Sequence, residues 1–171
     1  MTGRTVLFLL VASLAVLASF GIAAADVCTG SWKETLTVGT IFSGTANNIC
    51  YIDGSTEVLK EALDNGTSHL RVMWEFDNVP AGAQSINFYG TRVANTDGDN
   101  FQFYYNQDGG STGTTISGAL INKPFAPSGG STIPLNLTTT QASTIYILLW
   151  DTADGIGLDK VTLDRVAIVT Q

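Results

Sequence analysis

The residues best equipped to hold something are oxygen donors crowded into two turn-like stretches. Asn95, Asp97, Asp99 and Asn100 make one, and Asp151, Asp154 and Asp159 make the other. Carboxylate and amide oxygens on turn-rich loops are ligands for hard cations, and calcium is the cofactor they suggest. The first stretch is not an EF-hand. Counted from Asn95, Asn100 stands where the loop needs glycine, and Asn106 where it needs glutamate. Asp-Gly turns also select Asp and Gly for backbone reasons alone, so both readings stay open.

Other chemistry is thinly supplied. His69 is the single histidine and opens an alternating stretch, where a half-buried structural role is commoner than a catalytic one. No Gly-x-Ser-x-Gly elbow is present. Among fifteen acids some pair arises at glycosidase spacing by chance, so that chemistry is not specified. One histidine and two cysteines leave zinc short of ligands. No Gly-Lys-Ser/Thr closes a phosphate loop. The chain reads as a non-enzyme.

The elements that must position these residues begin after a leader. Arg4, the uncharged apolar run Val6 to Phe20, and Ala23-Ala24-Ala25 read as a signal peptide over residues 1–25. Residues 26–171 then form one domain, secreted and free of the membrane after cleavage. Formal charge is −7, which argues against nucleic acid and anionic membranes as partners. In an oxidising compartment Cys28 and Cys50 read as a disulfide. Closing that loop would restrain the unfolded chain by ~3 kcal/mol on the chain-entropy model.

Period-two patterning dominates the rest. Leu70, Val72, Trp74 and Phe76 alternate with Arg71, Met73 and Glu75, and Phe101, Phe103 and Tyr105 alternate with Gln102 and Tyr104. Asp64-Asn65-Gly66, Asn78 to Gly82 and Asn106 to Gly110 read as turns. Gly90 marks a bulge or a close approach, and Pro134 restricts its strand to an edge. Ser143 to Trp150 and Val161 to Val169 are apolar strands joined by the acidic link, a hairpin-like pair. Residues 55–63 fit a short helix capped by Ser55 or an edge strand. About eight strands between turn signals predict an all-β fold, an antiparallel β-sandwich of jelly-roll type.

Several segments carry a resemblance. Trp74 to Gly82, Arg92 with Asp97 to Phe103, Ile145-Tyr-Ile with Trp150 to Asp154, and Leu163 to Ile168 together resemble the jelly-roll modules of secreted proteins. Among these are carbohydrate-binding modules with a galactose-binding-like fold. The resemblance spans roughly residues 36–169. It implies a calcium held by an aspartate on the last strand, matched here by Asp164, with Asp53 or Glu57 as the early partner. It also implies a polysaccharide or glycan as partner. Sugars need aromatic faces to stack on and polar groups for their hydroxyls. Trp150, Tyr104, Tyr89 and Trp32 are the aromatic candidates, and Arg92 a polar one. Trp74 reads as core. The competing expectation is a structural or adhesive subunit of a cell surface, matrix or filament, able to self-associate. Asn65-Gly-Thr67 and Asn136-Leu-Thr138 are glycosylation sequons.

Overall fold

The computed structural model describes residues 25–27, 32–92, 99–122 and 130–171. Two antiparallel sheets face each other. The first runs β11 (Ser131–Thr139), β8 (Gly82–Arg92), β13 (Lys160–Thr170), β4 (Glu57–Lys60) and β3 (Thr40–Ser43), with β1 (Ala25–Val27) also on β13. The second runs β10 (Thr114–Ile121), β9 (Phe101–Asn106), β12 (Ser143–Asp151), β7 (Arg71–Val79) and β2 (Trp32–Val38). A small hairpin, β5 (Ala62–Asp64) and β6 (Thr67–His69), stands apart. The all-β antiparallel sandwich expected from the alternation is the fold found.

Thirteen strands are present among the described residues, where turn signals suggested about eight. The additional ones are short and lie mostly before Leu70, too brief to display a period. Residues 57–60 are strand, with Glu57 and Leu59 turned inward. β13 supplies their ladder, pairing Leu59 with Val161 and Glu57 with Leu163. The final two strands correct another expectation. β12 and β13 lie in opposite sheets, so the acidic link between them crosses the sandwich and closes no hairpin.

The core fills the space between the sheets. Leu70, Val72, Trp74 and Phe76 are buried from β7 and its approach, and Phe101, Phe103, Ile145, Ile147 and Leu149 from its neighbours. Opposite them lie Ile86, Phe88, Val161, Leu163, Val166 and Ile168. Phe103 packs on Phe88 with ring centroids 4.8 Å apart, and on Trp74 at 6.5 Å. Each such side chain contributes ~1.5–3 kcal/mol on burial. Gly90 is the close approach its position suggested: a Cβ there would come within 2.8 Å of Leu163 and 2.9 Å of Ile121. Pro134 does sit on an edge strand, beside a register shift in β11.

Two acids break the apolar rule. Glu57 on β4 is fully buried and meets Glu34, on β2 of the opposite sheet, next to the Trp74 indole. Burial first, then the neighbouring Glu34 carboxyl, push the Glu57 carboxyl up to about 8. Burial also raises Glu34, against the opposing influence of the neighbouring Glu57 carboxyl and Trp74 indole.

Cys50 is buried against Ala167; Cys28 lies outside the described residues. Among those described, no helix is long and apolar enough to cross a membrane.

Candidate functional site

Two places combine geometry with chemistry. The first is acidic and buried. Glu61, between β4 and β5, Asp99, just before β9, and Asp159, just before β13, bring carboxylate oxygens within 4.8 Å of one another. All three residues are buried. The backbone fixes the arrangement. Glu61 N–H donates to the Asp159 carbonyl at 3.0 Å, and Asp159 N–H donates to Glu61 Oε2 at 2.9 Å. Arg92, at the end of β8, donates from Nη1 to the Asp99 carbonyl. Burial, followed by the nearby carboxylates of Asp99, Asp159 and Asp151, pushes Glu61 up to about 7, although the Asp159 N–H opposes this.

Such a set can hold a metal ion. Ligands on opposite sides of a calcium ion, each 2.3–2.6 Å from it, lie roughly 5 Å apart, and this cluster falls inside that span. Glu61 Oε1 is shielded from solvent and accepts no hydrogen bond. A buried oxygen with that much desolvation cost wants a partner, and a hard cation supplies one.

The remaining acids of the sequence-derived set are placed elsewhere. Asp151 accepts Leu70 N–H at 3.0 Å through Oδ1 and meets His69 Nδ1 at 3.0 Å through Oδ2. His69 Nε2 lies 2.8 Å from Thr67 Oγ1. The Asn65-Gly66 turn, with both residues at positive φ, folds β5 onto β6 and so presents Thr67 and His69 to this loop. The row ties the 151–159 link to the hairpin, and Ser68 N–H adds a bond to the Gly155 carbonyl. Asp154 is exposed, 3.8 Å from His69 Nε2. Asn100 N–H donates to Thr152 Oγ1. Asp164 accepts Asp53 N–H and Gly54 N–H at 3.3 and 3.2 Å. Of the two early partners suggested for it, Asp53 lies beside it but offers its backbone amide, its carboxylate accepting Ser55 N–H, while Glu57 is buried beside Glu34. Asp97 is outside the described residues.

The second place is aromatic. Trp150 on β12 and Tyr104 on β9 share the outer face of the second sheet, with ring centroids 4.4 Å apart and planes inclined at 34°. Strand alternation puts them there, since Phe103 and Leu149 take the inward positions. Trp150 is opposite Arg71 across the β12–β7 ladder. The β9–β10 connection folds back over the same face. Asn106 pins it, donating to the Gly110 and Thr112 carbonyls and accepting from Gly109 N–H. Gly109 has φ +68, and a Cβ there would lie 3.0 Å from the Tyr146 ring, so only glycine lets the loop lie this close. Between loop and sheet runs a groove of about 140 Å³, lined by Thr37, Arg71, Met73, Gly110, Ser111 and Trp150 among others.

Tyr89 and Arg92 lie on β8 of the first sheet, away from this groove, and Arg92 serves the acidic cluster. Trp32 belongs to β2 by its backbone. Two residues escaped sequence reasoning. Glu61 sat in the stretch left open between helix and strand, and Arg71 looked like an ordinary outward residue of an alternating run.

No family model matches the chain, and no curated protein matches it. Solved structures similar to it include TmCBM61 in complex with beta-1,4-galactotriose, at 10% identity over 82% of this chain and 88% of that one, TM-score 0.48. The F5/8 type C domain of a Bacteroides fragilis protein is 12% identical over 86% and 97%, TM-score 0.47. A family 29 carbohydrate binding module is 10% identical over 82% and 90%, TM-score 0.41. At these identities the likeness is one of fold alone.

Proposed function

We propose that this chain is a secreted, non-catalytic carbohydrate-binding β-sandwich that stacks a sugar ring in the groove beside Trp150 and Tyr104. The observation that carries the reading is the ring pair: two aromatic side chains meeting on an outer sheet face, at the edge of a loop-walled groove with hydroxyls and a guanidinium. Aromatic faces take the apolar side of a pyranose, and the polar rim takes its hydroxyls. Calcium is the proposed occupant of Glu61, Asp99 and Asp159. Its role is structural, since it would tie the entries of β5, β9 and β13 together. Residues 1–25 are the leader in this reading, residues 26–171 the mature domain, and Cys28 bonds Cys50. A glycan array probed with and without chelator tests it. Binding to a defined sugar class supports the reading; an array blank under both conditions refutes it.

A second reading has one observation of its own. β3 is an edge strand whose residues are all exposed, Ile41 and Phe42 included. An open edge of this kind is a template for strand addition. It favours an adhesive or self-associating subunit, and a size measurement on the same preparation separates the two: concentration-dependent assemblies without glycan binding support this one.

A further inference from the structure

Six of the Lys and Arg of this acidic chain lie among the described residues, and four of these engage a partner. Lys33 pairs with Glu75 at 3.3 Å. Arg92 holds the Asp99 carbonyl, and Arg165 holds Asn87 and the Cys50 carbonyl. Lys160 sits over the Phe42 ring at 3.3 Å. Arg71 differs. It is exposed, lines the groove, and makes no ion pair or hydrogen bond through its side chain with any described residue. It also stands directly across the ladder from Trp150.

The neighbouring acids do not neutralise it. Glu75, four residues further along β7 on the same outward face, is taken by Lys33. Asp108, on the loop that walls the groove, turns its Oδ1 back to Gly110 N–H at 2.9 Å. Asp151 is spent on Leu70 and His69. An unpaired guanidinium is a planar fork that matches one carboxylate bidentately. Here the fork lies beside a surface suited to a sugar ring, in a protein whose overall charge gives it no general affinity for anions.

We propose that the groove selects a sugar bearing a carboxylate, a hexuronic acid residue, with the ring on Trp150 and the carboxylate on Arg71. This rests on the carbohydrate reading above and narrows it. The ring stack supplies contact that any pyranose would share. Arg71 supplies discrimination, because a neutral sugar offers the guanidinium only a hydroxyl while a uronate offers a charge-assisted, bidentate pair.

The test uses the full domain and hexuronate oligosaccharides, each beside its carboxyl-reduced neutral form, at one fixed free calcium concentration. A sulfated neutral galactan is the third arm. The expected result is that the acidic form binds at least tenfold more tightly than its reduced form. Arg71→Gln should bring that ratio to about one, weakening the acidic form far more than the neutral one. Because Arg71 is exposed, the variant should unfold at the wild-type temperature, and Arg71→Lys should recover part of the ratio. Equal binding of the acidic and neutral forms, or a preference that survives Arg71→Gln, overturns the inference and leaves the carbohydrate reading intact. Sulfated galactan bound as tightly, with the same dependence on Arg71, overturns the assignment to a carboxylate. If no sugar of any arm binds, this inference is overturned, and the carbohydrate reading stands or falls with the glycan array.

Discussion

Glu61 and Asp159 clasp each other twice. Each donates its backbone N–H to the other, one to a carbonyl at 3.0 Å and one to a carboxylate oxygen at 2.9 Å. The clasp joins the β4–β5 corner to the start of β13 and leaves Glu61 Oε1 buried without a hydrogen bond, in a cluster with Asp99. Three buried carboxyl groups held this close carry a desolvation cost that a bound cation would relieve.

Calcium should therefore stabilise the fold. At a hundredfold excess over its dissociation constant a single-site ligand adds about 2.7 kcal/mol. For a domain of this length that is a rise of roughly 5–10 °C in unfolding temperature. Chelator should reverse the rise, and Glu61→Gln or Asp99→Asn should abolish it. Differential scanning fluorimetry reads all three. An unfolding temperature indifferent to calcium and chelator would remove the metal from the account.

How much of this could be read from the residues depends on which residues they are. β7 and β9 were legible because their alternation is unbroken, and the same pattern assigned Trp74 to the core and Tyr104 to the outer face. The β5–β6 turn was legible because Asn-Gly accepts positive φ at both positions. Glu61 was not. Its stretch fits helix and strand equally, and its burial follows from β4 pairing with β13, a contact between distant parts of the chain. Asp99 and Asp159 were each picked out as oxygen donors in separate loops. What joins them is sheet order, which local periodicity does not encode.

The buried acid pair predicts a pH dependence. With an ordinary carboxyl near 4.5 in the unfolded chain and Glu57 near 8 in the folded one, the folded state binds more protons between those values. This contribution to stability is complete below about pH 4.5 and is lost as pH rises through 8. Within the window the loss is about 1.4 kcal/mol per pH unit. Urea unfolding across pH 5–8 in saturating calcium should show the decline, and Glu57→Gln should flatten it. The same slope in both proteins would mean that Glu57 is not the group whose titration sets it.

Asp151 should matter more for stability than its place in an acidic link suggests. Its carboxylate is nearly buried and serves both Leu70 N–H and His69. Asp151→Ala leaves both without that acceptor, at a cost of about 1–3 kcal/mol. Asp154→Ala removes an exposed carboxylate and should cost under about 0.5 kcal/mol. Chemical denaturation of the two variants checks the contrast, and equal effects would argue against the bonded row from Thr67 to Asp151.

The central claim is that a sugar stacks on Trp150. Isothermal titration of wild type and Trp150→Ala with the strongest array glycan tests it most directly, with Tyr104→Ala as the second variant and unfolding temperature as the control for folding. The account predicts at least a tenfold weaker affinity for Trp150→Ala, about 1.4 kcal/mol or more, in a protein that still folds. An affinity unchanged by the loss of the indole would contradict it.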